Sequence, residues 1–359
     1  MRITIIGAGN IGTQFAVHCK AKGHQVTFYT KNYEKISKDI NIVDGDGNIK
    51  LSAHNITATN NKEIAFKDAD IVFVTVPAFM MKDIAQEIID YLPAGAKVAL
   101  IPGTGGGECA FKPFIDKGGV VFGLQRVPSV ARLVEYGKTV CAEGYRGELF
   151  VSALPSKYSD ECANFMQNIF DIKCSTLPNY LNLTLTPSNP ILHTSRLYSL
   201  FKDYQKGTVY KYIPLFYEEW DDDSSQTLLT CDEELQNLCK NLKVINLSEV
   251  KSLKLHYESD SIEKMTAKIC SIKSLQGLST PSIKVDGGYI PDFSSRYFTA
   301  DFPYGLAIIR QIGEFCQFEM PNINKLYNWY KNVTKDIKEF NYKDYDINTL
   351  EELAGFYLK

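Results

Sequence analysis

Arg2-Ile3-Thr4-Ile5-Ile6-Gly7-Ala8-Gly9-Asn10-Ile11-Gly12 is the stretch whose reading decides the fold. Arg2 to Ile6 is a short β-branched run that reads as a strand, Thr13 to Lys22 has the spacing of an amphipathic helix closed by Gly23, and Gln25 to Tyr29 reads as a second strand. A strand, a glycine turn, a helix and a strand at this spacing form a βαβ unit. The three glycines serve separate purposes. Gly7 permits the tight turn, Gly9 lets a pyrophosphate approach the backbone, and Gly12 lets helix and strand pack closely. The N–H groups and the positive dipole end of the helix then face the phosphates. Gly7, Gly9, Asn10, Ile11 and Gly12 are therefore the expected floor of a dinucleotide site.

Outward from this unit, alternating strands and helices continue through the first half. Ile71–Val76, Lys97–Ile101 and Val120–Gly123 read as further strands, with helical spacing over Lys82–Tyr91. The expected fold class is α/β, a Rossmann doubly wound parallel sheet followed by a mostly helical domain. Asn41 to Thr59 looks like a small hairpin excursion around Asp44-Gly45-Asp46-Gly47. That turn lacks the glycine and glutamate positions of a calcium loop, so no metal is expected there. Two loops, Val76-Pro77-Ala78 and Pro102-Gly103-Thr104-Gly105-Gly106-Gly107, follow strands at their carboxyl ends, where an open α/β sheet binds ligands. Val76, Pro77, Ala78 and Gly103 are expected beside the nucleotide. The second strand ends in Thr30-Lys31-Asn32 rather than in the acidic residue that holds an NAD ribose, so Thr30, Lys31 and Lys35 point to NADP, with NAD as the alternative.

After Leu149–Leu154 and a helix over Asp160–Phe170 the alternation stops, which places a boundary near Asn179–Pro187: residues 1–183 bind nucleotide and 184–359 form the helical substrate domain. Helical spacing covers Pro190–Tyr204, Glu233–Leu242, Leu247–Leu255, Ser261–Ser271, Tyr304–Cys316 and Ile323–Val333. The acidic run Glu218–Asp223, without a histidine, reads as a solvated face.

With 359 residues and 45% hydrophobic content, two cores are expected. The net charge of −3 gives no electrostatic reason for nucleic acid or an anionic membrane as partner. No apolar run approaches the length of a membrane span, and the expected location is the cytoplasm. Nine cysteines without a C-x-x-C pair argue against a disulfide framework or a zinc ribbon; they are expected reduced and mostly buried. Small metabolites are the expected partners. No residue pattern sets the oligomeric state, and a homodimer is compatible with all of them.

Ser188-Asn189-Pro190-Ile191-Leu192-His193 resembles the NPxxH-type motif of the octopine/opine dehydrogenases, and Ser295-Arg296-Tyr297-Phe298-Thr299-Ala300-Asp301-Phe302-Pro303-Tyr304-Gly305-Leu306 resembles their R-Y-x-T-E-D-x-P-x-G-L segment. Gln125-Arg126-Val127-Pro128 with Arg132 matches a further family-like stretch, so the resemblance spans the chain. Ala300 stands where that family usually has Glu, and Thr194 where Pro is common.

The resemblance implies an NAD(P)-dependent enzyme in which a 2-oxo acid condenses with the amine of an amino acid and the imine is reduced. It implies that His193 and Asp301 meet, the imidazole as acid/base and the carboxylate orienting it. Arg296 becomes a clamp for a substrate carboxylate, with Asn189, Arg126 and Arg132 as further substrate contacts. The other histidines, His18, His24, His54 and His256, read as structural. Two other readings stand beside this one. A simple 2-oxo acid reductase of the ketopantoate reductase or glycerol-3-phosphate dehydrogenase type shares the glycine-rich start, and a non-catalytic NADPH sensor would share the nucleotide site alone.

Overall fold

Apolar β-branched runs supply the strands of the first half. The computed structural model describes residues 1–335 and 338–359. In chain order the first half contains β1 Arg2–Ile6, α1 Asn10–Ala21, β2 Gln25–Tyr29, β3 Ile40–Val43, β4 Ile49–Ala53, β5 Thr57–Thr59, α2 Lys62–Phe66, β6 Ile71–Val74, α3 Met81–Ile88 and β7 Lys97–Leu100. It continues with α4 Gly107–Ala110, α5 Lys112–Asp116, β8 Val120–Leu124, β9 Val130–Glu135, β10 Thr139–Glu143, β11 Glu148–Leu154, α6 Ser159–Phe170, β12 Lys173–Thr176 and α7 Leu181–Thr184.

Eight of these strands form one sheet in the order β12-β11-β8-β7-β6-β1-β2-β5. β6 (IVFV) and β8 (VVFGL) are buried at every position, as central strands covered on both faces require. The sheet departs from the expected all-parallel form at one pair: β11 runs antiparallel to β8. The chain leaves β8 through the antiparallel β9–β10 pair instead of the helical crossover that usually joins parallel neighbours. β12, on the far edge, is a short polar run (KCST) that carries little strand signal of its own.

The expected excursion at 41–59 is a β3–β4 hairpin, but it belongs to a second sheet of order β4-β3-β10-β9, and β5 leaves it to join β2. Asp44 closes its turn by accepting from the Asp46 and Asn48 N–H groups and pairs with Lys50 at 2.8 Å, so the carboxylate is engaged within the protein. α1 packs against strands of both sheets. Its continuous run Gly12 to Val17 is buried, whereas the sequence spacing suggested an amphipathic helix. A helix covered on both sides buries Thr13 and Gln14 along with Phe15 and Val17.

The second half contains α8 Leu192–Phe201, α9 Asp222–Asn241, α10 Leu253–His256, α11 Ile262–Cys270, the hairpin β13 Ser282–Val285 and β14 Gly288–Pro291, a π-helix Tyr297–Leu306, α12 Ala307–Phe315, α13 Pro321–Val333 and α14 Leu350–Tyr357. α9 is the central helix, packed by α8, α11 and α13. The spacing over Leu247–Leu255 yields only the single turn α10; Leu247, Val250 and Leu253 are buried from loop and turn rather than from one helix face. By contacts the chain divides into Met1–Thr184 with Gly355–Lys359, and Leu185–Ala354. The last five residues thus depart from the expected assignment of 184–359 to the helical domain. Ser156 explains their return: its N–H and hydroxyl both donate to the Lys359 carbonyl. Among the described residues no helix is long and apolar enough to cross a membrane.

Candidate active site

Register brings the candidate nucleotide residues to one edge of the main sheet. Ile6 pairs with Tyr29 and Val74, and Val74 with Leu100, so β1, β2, β6 and β7 end level and Gly7, Thr30, Thr75 and Ile101 follow together. The three glycines answer to three different demands. Gly7 has φ +96°, in the left-handed region. A Cβ on Gly12 would stand 1.9 Å from the Gly7 carbonyl oxygen, whereas a Cβ on Gly9 would meet nothing within 4 Å. Gly12 is fixed by the protein's own packing, while Gly9, exposed at the start of α1, leaves open space against the helix N-terminus. That space fits a dinucleotide pyrophosphate, whose oxygens would take the first N–H groups of α1.

Thr75, which no motif marks, donates from Oγ1 to the carbonyls of Ile6 (2.9 Å) and Gly7 (3.1 Å) and so ties β6 to the glycine turn. Asn10 Oδ1 accepts from the Leu133 N–H at 2.9 Å, and Ile11 packs on the core. Thr30 is half-buried, its N–H donating to Thr59. Lys31 and Lys35 are exposed and, among the described residues, make no ion pair. Glu34 lies between them and accepts from the Tyr33 hydroxyl. Val76, Pro77 and Ala78 are half-buried, and Val76 lies beside the glycine turn. Gly103 is buried: a Cβ there would come within 2.9 Å of Gly123 Cα and of the Tyr180 hydroxyl, so internal packing alone demands glycine. Arg126 is half-buried after β8, and Arg132 is exposed on β9, its guanidinium donating to the neighbouring Ala131 carbonyl.

The second group of site residues lies on α8 and the π-helix. His193 sits in the first turn of α8, its N–H donating to the Asn189 carbonyl. Asp301 lies on the π-helix, and its Oδ2 is 2.8 Å from His193 Nδ1 across 108 positions of chain. The two side chains are 12% and 16% exposed, dry enough to strengthen the pair and still reachable. Gly305 is what lets these segments meet: a Cβ there would stand 2.9 Å from both Cβ and Cγ of Pro190. The proline of the first motif and the glycine of the second are thus one contact. A π-helical turn of ten residues with Pro303 inside it is itself a feature concentrated at functional sites.

An ionised carboxylate only accepts, so Asp301 assigns the proton of neutral His193 to Nδ1 and leaves Nε2 as the acceptor. Nε2 is not bare. The Tyr217 hydroxyl lies 2.7 Å from it and donates to it. Burial pushes the Tyr217 phenol well above its ordinary pKa, so it stays protonated. Tyr297 packs edge-on to the imidazole at 4.6 Å and stacks on Phe216 at 4.7 Å.

Tyr217 is held by Arg196, one turn beyond His193 on α8. The Arg196 side chain is fully buried; Nε donates to the Phe216 carbonyl at 3.0 Å, Nη1 to Asp221 at 2.8 Å and to Ser224 at 3.1 Å, and Nη2 to the Leu215 and Glu219 carbonyls. The acidic run is therefore more than a solvated face. Asp221 caps α9 and neutralises a buried guanidinium. Nothing in the sequence singled out Tyr217; Arg196 left one signal, a charge three residues beyond His193 on the same helix. Arg296 caps the π-helix, is exposed, and forms no ion pair among the described residues; Asn189 is likewise exposed.

His18 bonds the Tyr145 hydroxyl at 2.9 Å, and burial lowers it to about 4, which keeps it neutral. The nine cysteines are free; four are buried and five half-buried, so the expectation of mostly buried thiols holds only for Cys19, Cys109, Cys162 and Cys231. Among the described residues no cluster of three or more His, Cys, Asp or Glu could hold a metal.

Comparison with known proteins matches both halves. Residues 176–334 match the family model of the NAD/NADP octopine/nopaline dehydrogenase alpha-helical domain, and residues 2–105 match that of the NAD-dependent glycerol-3-phosphate dehydrogenase N-terminus. Octopine dehydrogenase of Mizuhopecten yessoensis is 26% identical over 76% of this chain and 71% of its own length. Tauropine dehydrogenase of Arabella iricolor is 25% identical over 91% of this chain and 90% of its own. A solved structure of octopine dehydrogenase with NADH and L-arginine superposes with a TM-score of 0.86 at 22% identity, covering 99% of this chain and 98% of that one. With a Rossmann-type nucleotide domain followed by this helical domain, the chain is similar along nearly its whole length to NAD(P)-dependent oxidoreductases of the octopine/opine dehydrogenase type.

Proposed function

We propose that the protein catalyses the reversible condensation of a 2-oxo acid with the amine of an amino acid and the reduction of the resulting imine by NAD(P)H. The observation that carries the reading is the His193–Asp301 pair at 2.8 Å, which supplies one positioned proton donor and acceptor. Condensation expels the carbonyl oxygen as water and so needs a proton delivered to it; the reverse reaction needs the same proton taken back. The bound nicotinamide supplies the hydride. His193 holds and moves the proton at Nε2, while Asp301 fixes the ring through Nδ1 and stabilises its charged form. Both substrates carry carboxylates, and the exposed Arg296 guanidinium offers one of them a two-point contact. Arg126, Arg132 and Asn189 complete the proposed substrate contacts. The relatives named octopine and tauropine dehydrogenase support this reaction class.

NADP(H) is the proposed preference, on the strength of Lys31 and Lys35, exposed at the end of β2 and able to meet a 2′-phosphate. Lys31→Ala is expected to reduce kcat/KM for NADPH by about tenfold, a loss of about 1.4 kcal/mol, with little change for NADH. Equal kcat/KM for the two nucleotides in the unaltered enzyme would reject the preference.

The reaction is tested by following NAD(P)H absorbance with a panel of amino acids against short 2-oxo acids, with the amine omitted as control. The expected product is one molecule carrying both carbon skeletons, read by mass spectrometry. A hydroxy acid formed at a rate indifferent to amine identifies a simple reductase. Nucleotide binding with no turnover on any pair identifies a sensor.

A further inference from the structure

We propose that the proton exchanged at His193 Nε2 passes through the Tyr217 hydroxyl, which makes Tyr217 a third member of the acid–base group. The inference rests on the reaction proposed above only in what lies beyond Tyr217. Nδ1 of His193 is committed to Asp301 at 2.8 Å, so Nε2 is the one ring nitrogen left for exchange, and the Tyr217 hydroxyl already occupies it at 2.7 Å. A proton reaching Nε2 must therefore displace this hydroxyl or travel through it.

The surroundings of Tyr217 favour passage. Its side chain is 6% exposed, and its ring packs edge-on to Phe216 at 4.9 Å. The backbone on either side is anchored by the buried Arg196, through the carbonyls of Leu215, Phe216 and Glu219. Swinging the hydroxyl away would break this packing and leave a buried polar group seeking a new partner. The hydroxyl has a next partner in place, because Tyr217 is also hydrogen-bonded to Tyr297. Tyr297 is only half-buried and directly follows Arg296, the proposed carboxylate clamp.

The step balances without a tyrosinate. With His193 charged, the Nε2–H bond breaks as a new O–H bond forms on Tyr217. The proton originally on Tyr217 leaves in the same movement to the Tyr297 hydroxyl, which hands its own proton to the substrate oxygen or nitrogen. Each phenol ends neutral, His193 ends neutral, and the substrate has gained one proton. Reversal returns it. Burial, which opposes ionisation of Tyr217, does not oppose this exchange.

Tyr217→Phe keeps the ring and its packing and removes only the hydroxyl. The expected result is a fall in kcat on the order of 100-fold with the KM for NAD(P)H unchanged. The double variant Tyr217→Phe/His193→Ala should turn over no more slowly than His193→Ala alone, because both changes break one chain. Full or increased kcat in Tyr217→Phe would overturn the relay and show a hydroxyl that is displaced or idle, and losses that add in the double variant would overturn it as well.

The reaction itself is checked on the unaltered enzyme, by omitting the amine. If a hydroxy acid forms instead, the condensation fails while the relay is still read on that turnover. Should no substrate pair react, ¹⁵N resonances of the imidazoles decide. The chain has five histidines, and His193→Gln identifies the signal. Loss of the hydroxyl should shift the His193 Nε2 resonance, and an identical resonance in Tyr217→Phe would overturn the proposal.

Discussion

Gly305→Ala tests whether the two sequence motifs act as one structural device. Gly305 lies four residues after Asp301 on the π-helix, and Pro190 lies three before His193. A Cβ at 305 would stand 2.9 Å from Pro190 Cβ and Cγ. Apolar carbons rest about 3.5–4.0 Å apart, so the segments must part by about 0.6–1.1 Å. Added to the 2.8 Å between His193 Nδ1 and Asp301 Oδ2, even the smaller movement stretches that bond to about 3.4 Å, beyond a normal N–H···O distance. Overpacking at a buried site costs about 1–3 kcal/mol, and misplacing a catalytic group by about 1 Å costs about 100-fold in rate. The expected Gly305→Ala enzyme melts lower, binds NAD(P)H normally and has a kcat reduced by about 100-fold. Thermal melting, nucleotide titration and steady-state kinetics read the three quantities. Adding Pro190→Gly removes both clashing atoms and should return part of the rate. A Gly305→Ala enzyme with unaltered melting and kcat would refute the argument, since the contact would then be slack.

His193→Ala should retain nucleotide affinity while kcat falls by about two to four orders of magnitude, with Asp301→Asn doing comparable harm; a folded His193→Ala enzyme at nearly full turnover removes the acid/base assignment. Gly9→Ala and Gly12→Ala separate ligand room from packing: the first should melt normally but bind NAD(P)H weakly, and the second, with 1.9 Å to the Gly7 oxygen, should lose stability as well. Equal melting of the two variants would contradict this. Glu108 is buried against the Thr184 and Tyr357 hydroxyls, and burial raises its carboxyl to about 6 from 4.5. The folded protein then binds more protons than the unfolded chain in that window. Stability falls by about 2 kcal/mol as pH rises from about 4.5 through about 6, and Glu108→Gln abolishes that slope in urea titrations; the same slope in the variant would show that another group is responsible.

How much of this was legible in the sequence depends on what each residue answers to. Gly7 and Gly12 are readable because backbone geometry within one turn allows nothing else, Gly9 because a helix N-terminus that receives a pyrophosphate needs open space, and the level ends of β1, β2 and β6 follow from apolar strands joined by short units. The burial of α1 on both sides was not readable, because it depends on β3, β4, β9 and β10, two hairpin halves separated by most of the nucleotide domain. Gly103 marks the opposite failure. It stands in a glycine-rich loop at a strand end, yet the contacts that demand glycine there are Gly123 and Tyr180, distant in sequence.

The same distinction runs through the proposed acid–base group. His193 and Asp301 were found through motifs, and motifs record residues that chemistry or close backbone contact holds fixed, such as Pro190 against Gly305. Tyr217 carries no motif. Its place is set by Arg196, whose guanidinium gathers three backbone carbonyls, a serine hydroxyl and the Asp221 carboxylate into one shell. Backbone carbonyls are supplied by any residue, so the segment that positions Tyr217 can vary in sequence while its geometry stays. A buried arginine paired with a half-exposed aspartate stabilises little by itself, because desolvation offsets most of the attraction. What it does accomplish is to determine where one loop lies, and that loop brings a hydroxyl to the single ring nitrogen of His193 that Asp301 leaves open.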